Sequence, residues 1–185
     1  MPGYLSYEDA FFSSSGQEFW LQTGEASPMK ILFLHGWESS PGGKKPSYLA
    51  EHGHDLLNPA LPADDFEVAV QVAQEAFDKG GPDLVMGSSR GGAVAMNLRL
   101  EDIPMLLICP AWKRWGSAKS VKAGTVIMHS PSDEIIPYAF SQELVAASPP
   151  GVRLVASGVD HRMADPEVLS AMLKLAEELQ PRRRS

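Results

Sequence analysis

Short, continuous runs of apolar residues, each followed by a stretch of helical periodicity, constrain the fold more than any other feature of this sequence. Strands buried on both faces give such unbroken runs, whereas strands with one solvated face alternate. The runs lie at residues 31–34, 84–86, 105–109, 125–128 and 152–156, with a weaker one at 55–59. Helical patterns occupy residues 64–79, 91–100, 137–147 and 166–179. Strands that alternate with helices predict a doubly wound α/β domain, with a mostly parallel sheet of about six strands.

The length of 185 residues fits one domain, predicted here to cover residues 29–181. Residues 1–28 contain two aromatic segments on either side of a serine-rich turn. This pattern predicts a hairpin at the sheet edge, or else an arm that packs over the site or on a second copy of the chain in a homodimer. Residues 182–185 form a short basic tail.

The net charge of −7 argues against a nucleic-acid partner, because nucleic-acid-binding proteins present a basic face. A single cysteine, Cys109, excludes an intrachain disulfide and is expected to be an inert core residue. The first residues lack the basic start and apolar segment of a secretory signal. No run approaches the roughly 18 apolar residues of a membrane span. We therefore expect a cytoplasmic protein without a membrane partner.

The segment Gly87-Ser88-Ser89-Arg90-Gly91 is a G-x-S-x-G pattern that directly follows an apolar run and opens a helical stretch. The pattern alone is weak, but a strand–turn–helix context is what a nucleophile elbow requires. In that turn the glycines give room for the backbone, and the serine hydroxyl is exposed at a helix N-terminus that favours negative charge. The alternative is a serine that only caps the helix. We interpret Ser89 as a nucleophile.

A serine hydroxyl needs a base, normally histidine, to take its proton. Among the five histidines, His161 lies in the loop after the last predicted strand, at a carboxyl end where functional loops of an open α/β sheet gather. It is the one histidine after Ser89 that leaves an acid candidate between the two at a strand end. His129 also ends a strand, but its pattern favours local packing. His161 is therefore the predicted general base.

Asp133 follows the strand at 125–128 and is the predicted acid that orients the imidazole. Glu134 and Asp160 are the alternatives. Asp160 is adjacent to His161 in the chain, which makes a contact between its side chain and the ring harder to arrange. An Asx-type turn before the next helix would explain Asp133 without a catalytic role.

An oxyanion hole requires two fixed N–H donors. The first is expected from Arg90, which follows the nucleophile, and the second from the loop after the first central strand, where Trp37 follows Gly36. His35, in the same loop, is expected to make structural hydrogen bonds rather than act as an acid or a base.

Together these motifs resemble the α/β-hydrolase superfamily over residues 30–180. More narrowly, the sequence resembles the small YqiA-like esterases at His35-Gly36-Trp37-x-Ser39-Ser40-Pro41-x-x-Lys44 and at Asn58-Pro59-x-Leu61-Pro62. This resemblance implies a minimal sheet, action on short acyl esters, catalytic roles for Ser89, Asp133 and His161, and oxyanion donors at Trp37 and Arg90. Arg90 departs from that group, which more often has an apolar residue there.

Residues 110–124 between two predicted strands are too few for a cap domain, so an open site is expected unless the N-terminal arm covers it. Trp112 and Trp115 are candidates for an apolar wall around the acyl group, with packing against a neighbouring helix as the alternative. Met163 is a weaker candidate for the substrate pocket.

The sequence thus predicts a serine hydrolase that cleaves small carboxylic esters or thioesters through an acyl-enzyme. The expected partner is the small ester substrate, with a second copy of the chain in a homodimer as a further candidate, and no metal or organic cofactor is expected. The alternatives are a thioesterase or peptidase using the same three residues, and a non-catalytic binding protein on a hydrolase fold.

Overall fold

Six parallel strands form one sheet in the structure, a computed structural model that describes residues 27–37 and 39–180. The predicted basic tail and the predicted N-terminal arm, except for residues 27 and 28, lie outside the described residues. The strands are β1 (Lys30–Leu34), β2 (Asp55–Leu57), β3 (Leu84–Ser88), β4 (Met105–Ile108), β5 (Val126–His129) and β6 (Arg153–Ala156). All five neighbouring pairs are parallel, which confirms the predicted fold class.

Five helices cover the two faces of the sheet. They are α1 (Lys44–Glu51), α2 (Phe66–Gly80), α3 (Arg90–Met96), α4 (Tyr138–Ala146) and α5 (Pro166–Glu178). Apolar residues of α1 and α5 pack into the core on one face, and those of α2, α3 and α4 pack into the core on the other. Burial on both faces explains why the central strands read as unbroken apolar runs.

The strand order is β2-β1-β3-β4-β5-β6. The second strand therefore lies on one side of β1, and the later strands follow one another on its other side. The order therefore reverses between β1 and β3. In open α/β sheets, ligands bind outside the carboxyl ends of the strands at such a switch point. The loop after β1, which carries Trp37, and the turn after β3, which carries Ser89 and leads into Arg90 of α3, meet there.

Two helices differ from the sequence prediction. Helix α3 ends at Met96, whereas the sequence pattern predicted an end near residue 100. At the actual end, the Asn97 side chain donates to the Ala93 carbonyl oxygen at 2.8 Å. Helix α1 was not predicted, because its eight residues carry only two buried side chains, Pro46 and Leu49, and show no apolar stripe.

The connection between β4 and β5 contains neither a helix nor a strand, and the described residues include no cap domain. None of the described helices combines the length and the apolar character that crossing a bilayer demands.

Candidate active site

Ser89 occupies a sharp turn between β3 and α3, with φ at 54° and ψ at −117°. A non-glycine residue in this region is strained and persists only where the surrounding structure holds it. The Ser89 N–H donates to the Ile108 carbonyl oxygen at 2.9 Å, and the Ser89 carbonyl oxygen accepts from the Ala111 N–H at 3.0 Å. These bonds fix the turn to the end of β4.

The two glycines of the motif are required by close backbone approach. A Cβ at Gly87 would lie 2.4 Å from the Gly91 carbonyl oxygen, and a Cβ at Gly91 would lie 2.0 Å from the Leu34 carbonyl oxygen. Neither contact is sterically allowed, so the strand–turn–helix connection accepts only glycine at both positions without rearrangement. The motif therefore has the steric character of a nucleophile elbow.

The structure brings Ser89, His161 and Asp133 together. His161 Nε2 lies 3.1 Å from Ser89 Oγ, and His161 Nδ1 lies 2.7 Å from Asp133 Oδ2. The Asp133 carboxylate can only accept a hydrogen bond, so His161 Nδ1 carries the ring proton and donates it. The ring therefore presents the Nε2 lone pair to the Ser89 hydroxyl. The three side chains thus form a continuous hydrogen-bonded series suited to proton transfer from the serine.

The two alternative acids make other contacts. Glu134 accepts the His161 backbone N–H at 3.1 Å, and Asp160 accepts the Met163 N–H at 3.0 Å. Both carboxylates therefore bond the backbone of the loop that carries His161. Of the three candidate acids, only Asp133 bonds the His161 ring.

Each carboxylate oxygen of Asp133 has two partners. Oδ1 accepts the N–H groups of Ile135 and Ile136 at 2.8 and 2.7 Å, while Oδ2 accepts from His161 and from His129 Nε2, the latter at 3.1 Å. Burial by itself would raise the pKa of Asp133. The bonds from the Ile136 N–H, the His161 ring and the Ile135 N–H outweigh it and hold the pKa below its usual range. The acid is therefore ionised at neutral pH and fixed in orientation.

His129 contributes a contact that the sequence analysis missed. Its Nε2 faces two acceptors, Asp133 Oδ2 and the Ile136 carbonyl oxygen at 3.1 Å, so Nε2 carries the proton. Its Nδ1 then accepts from the Ser141 hydroxyl at 2.7 Å. Burial lowers the pKa of His129 despite the opposing effect of Asp133, which keeps the ring neutral. The available signal was a histidine at a strand end, four residues before the predicted acid.

The loop after β1 packs directly on the nucleophile, since a Cβ at Gly36 would lie 3.4 Å from the Ser89 Cβ. His35 shapes this loop: its Nε2 accepts the Leu61 N–H at 3.1 Å, and its Nδ1 donates to the Gly36 carbonyl oxygen at 2.9 Å. Trp37 follows, with its side chain 45% exposed. Arg90 is the first residue of α3, where helix geometry leaves the N–H without an intrahelical acceptor. Arg90 therefore directly follows Ser89, and Trp37 lines the same cavity as Ser89.

The Arg90 side chain is buried, with only 1% of its surface exposed. Its guanidinium lies 5.1 Å from the Trp115 ring centre and 5.7 Å from the Phe66 ring centre, and Nη2 donates to the Asp65 carbonyl oxygen at 3.2 Å. The residue that departs from the YqiA-like pattern therefore ties the elbow to the start of α2.

The three predicted pocket residues occupy different environments. Trp112 is buried in the core, and its indole N–H donates to the Phe140 carbonyl oxygen at 3.1 Å. Trp115 stacks on Phe66 at 5.8 Å between ring centres. Met163 is fully buried in the core on the other face of the sheet. Trp112 therefore contacts α4, whereas Trp115 lies edge-on to the ring of Trp37, which lines the cavity, at 5.5 Å between ring centres. None of the three is itself among the described lining residues of the cavity.

A cavity of about 480 Å³ opens beside Ser89. It lies between the loop after β1, the first turn of α1 and the segment that follows His161. Its described lining residues are Phe33, His35, Gly36, Trp37, Ser39, Ser40, Gly43, Lys44, Lys45, Pro46, Ser88, Ser89, His161, Arg162 and Ala164. Helix α1, which the sequence patterns did not predict, therefore supplies one wall of the site.

Cys109 lies next to the hydrogen-bonded series, and its Sγ donates to the His161 carbonyl oxygen at 3.6 Å. Possible ligand atoms of Cys109, Asp133 and His161 all lie within 4.8 Å of one another. Burial raises the pKa of the thiol to about 12, so the sulfur is protonated, whereas a metal ligand is a thiolate. The Asp133 and His161 atoms already bond each other, so this group is not preorganised for a metal.

The sequence matches no family model and no curated protein, whereas the fold has many counterparts among solved structures. Mouse alpha/beta hydrolase domain-containing protein 10 is 16% identical with a TM-score of 0.67, over 81% of this chain and 88% of that one. A monoacylglycerol lipase from Paleococcus ferrophilus is 14% identical with a TM-score of 0.68, over 82% and 95%. An esterase domain from Rhodothermus marinus is 16% identical with a TM-score of 0.61, over 91% and 95%.

The described chain therefore has the α/β-hydrolase fold, as the motifs predicted. The narrower resemblance to the YqiA-like esterases stays a prediction.

Proposed function

We propose that this protein is a serine hydrolase that cleaves small carboxylic esters or thioesters. The observation that carries the proposal is the series of two contacts that joins Ser89 Oγ to His161 Nε2 at 3.1 Å and His161 Nδ1 to Asp133 Oδ2 at 2.7 Å. Fold counterparts that include an esterase domain and a monoacylglycerol lipase agree with it.

In the first half of the proposed reaction, Ser89 Oγ attacks the acyl carbonyl carbon while His161 Nε2 takes the hydroxyl proton. Asp133 stabilises the resulting imidazolium, and the N–H groups of Trp37 and Arg90 bond the oxyanion. The tetrahedral intermediate then collapses, the bond to the leaving oxygen or sulfur breaks, and His161 gives its proton to the leaving group. An acyl-Ser89 ester remains.

In the second half, His161 takes a proton from water, and the hydroxyl attacks the acyl-Ser89 carbonyl. Collapse of this intermediate releases the carboxylic acid and returns the proton to Ser89 Oγ. Every proton in this scheme passes through His161 Nε2, and no step requires a metal or an organic cofactor.

Labelling with a fluorophosphonate probe tests the nucleophile. We expect the wild-type protein to be labelled and Ser89→Ala to lose both labelling and hydrolysis of 4-nitrophenyl butyrate. Ser170→Ala, which changes a serine on α5 far from Ser89 in the chain, is the matched control and should be labelled like the wild type. Labelling of Ser89→Ala would exclude this serine as the nucleophile. A folded wild type that is not labelled would favour the non-catalytic binding protein.

A panel of esters, thioesters and peptide amides with the same acyl group then separates the proposed hydrolysis of esters or thioesters from the peptidase alternative. We expect esters or thioesters to have the highest kcat/KM, and a preference for amides would overturn the proposed reaction class.

A further inference from the structure

Three cationic side chains line the cavity beside Ser89, namely Lys44, Lys45 and Arg162. No described lining residue carries a carboxylate. The chain as a whole has a net charge of −7, so this part of its surface has the opposite sign to the molecule. A cleft with one sign of charge attracts the oppositely charged ligand and raises its local concentration.

The carboxylates of Asp160 and Glu134, near His161 in the structure, bond backbone groups. Asp160 accepts the Met163 N–H and Glu134 accepts the His161 N–H, as described above. No ion pair within 4.0 Å joins Lys44, Lys45 or Arg162 to another residue of the part of the chain that the structure describes. No described residue therefore neutralises these three positive charges through a direct ion pair.

Lys45 is the best placed of the three. It is half-buried, and its Nζ donates to the Arg162 carbonyl oxygen at 2.6 Å, which places the ammonium beside the segment that carries His161. Burial lowers the pKa of Lys45, while Cys109 and Asp160 oppose the shift. A partly desolvated ammonium with remaining donors gains from an anionic acceptor more than an exposed one does.

The start of α1 adds further donors to the same wall. Its N-cap residue is Gly43, which has no side chain to accept the first N–H groups, and Pro46 has none to donate. The first helical backbone bond runs from the Ser47 N–H to the Gly43 carbonyl oxygen. The N–H groups of Lys44 and Lys45 are thus left without intrahelical acceptors, in a stretch that lines the cavity.

We propose that the substrate of this site is an ester or thioester whose acyl or leaving group carries an anionic oxygen group, a carboxylate or a phosphate, which Lys45, Lys44 and Arg162 bind while Ser89 attacks the ester carbonyl. This inference rests on the proposed hydrolase function and adds the charge of its substrate.

Matched substrate pairs test it. The acyl pair is mono-4-nitrophenyl adipate and 4-nitrophenyl 6-methylheptanoate, its uncharged isostere. The leaving-group pair is 4-carboxyphenyl butyrate and 4-acetylphenyl butyrate, and 4-phosphonooxyphenyl butyrate separates phosphate from carboxylate. The quantity measured is the ratio of kcat/KM for the anionic member to that for the neutral member. Comparing this ratio between variants cancels the intrinsic reactivity of each ester.

We expect Lys45→Met to lower the ratio about tenfold or more in at least one arm, the effect of losing a hydrogen bond between charged partners. Lys44→Gln and Arg162→Gln should each lower it less, and both side chains are exposed enough to be changed without unfolding the protein. Lys122→Met is the matched control, because Lys122 is also half-buried and donates to backbone carbonyls of Glu101 and Ile103, away from the cavity. It should leave the ratio unchanged.

The outcomes separate this inference from the proposed function. Unchanged ratios in all three cavity variants, with Ser89 still labelled and neutral esters still hydrolysed, would overturn the anionic substrate and leave the hydrolase. If neither labelling nor hydrolysis occurs, binding is measured instead of kinetics. The wild type is titrated with adipate and with inorganic phosphate, and NMR monitors each titration. Binding that Lys45→Met abolishes and Lys122→Met retains would support the anion site, and absence of binding would overturn it.

Discussion

At the scale of single residues, the Asp133 carboxylate accepts hydrogen bonds from four donors, two backbone N–H groups and two imidazole rings. One ring belongs to His161, which contacts Ser89, and the other belongs to His129, which contacts Ser141. His129 and Ser141 are both completely buried. The acid is therefore oriented by a second, neutral histidine that never reaches the cavity.

Removing this second histidine is predicted to weaken catalysis through Asp133. We expect His129→Leu to lower kcat about tenfold, equivalent to roughly 1.4 kcal/mol in the activation barrier, with KM little changed. His129→Gln places an amide N–H near the position of Nε2 and should recover most of kcat. Steady-state kinetics on folded protein, verified by circular dichroism, measure both values.

A positioning role for His129 requires this split between the two variants. Equal losses in His129→Leu and His129→Gln, or a loss that appears in KM alone, would assign His129 to core packing only.

At the scale of elements, the elbow between β3 and α3 depends on how closely these two elements approach β1. Helix α3 packs so close to the sheet that a Cβ at Gly91 would overlap the Leu34 backbone. The backbone carbonyl of Leu34 cannot turn aside as a flexible side chain can, because Leu34 belongs to β1 and pairs with Gly87 of β3. The position of the Ser89 turn is therefore set by strand–helix packing rather than by the turn residues alone.

We predict that Gly91→Ala lowers the free energy of unfolding by at least about 2 kcal/mol, because backbone atoms must shift to admit the methyl group. Gly43→Ala is the control: its φ is −63°, and the nearest atom to an added Cβ lies 3.6 Å away. Its cost should stay below about 1 kcal/mol. Urea denaturation compares the two, and equal costs would contradict the packing explanation.

At the scale of the whole molecule, two buried histidines link stability to pH. Burial lowers the pKa of His129 and of His54, against the opposing charges of Asp133 and Glu177 respectively. Below about pH 6.5 these side chains bind protons in the unfolded chain before they do so in the folded one. Their contribution to stability is therefore complete above pH 6.5 and is lost as the pH falls towards their folded pKa values.

We accordingly predict that the free energy of unfolding falls between pH 6.5 and 5, by at most about 1.4 kcal/mol per pH unit for each histidine. His129→Gln and His54→Gln should each make this slope shallower. Their effects should add because the two residues share no partner: His54 contacts Met29 and Glu177, whereas His129 contacts Ser141 and Asp133. Urea titrations at pH 7.5, 6 and 5 measure the slope. A slope that survives the double substitution would refute the assignment. The pKa of Asp133 is also lowered by folding, but from a much lower starting value. The contribution of Asp133 to the free energy of unfolding is therefore lost only below about pH 4.

Much of the fold could be predicted because its signals are local. The unbroken apolar runs mark the central strands β1, β3, β4 and β5, since burial on both faces removes the need for polar residues along a strand. The G-x-S-x-G pattern marks the elbow, since the close packing of α3 on the sheet requires glycine at positions 87 and 91. Helix α1 escaped prediction because it is short and buries only Pro46 and Leu49.

The sequence by itself determined the parallel sheet, the strained turn at Ser89 and the chain order of serine, acid and histidine. Only the tertiary structure decided which distant side chains meet. His129 contacts the acid, Trp112 and Met163 are buried in the core, and Lys45 of an unpredicted helix lies beside the histidine loop. The physical reason is that backbone periodicity fixes which face a residue presents, whereas contacts between residues far apart in the chain depend on how whole elements pack against one another.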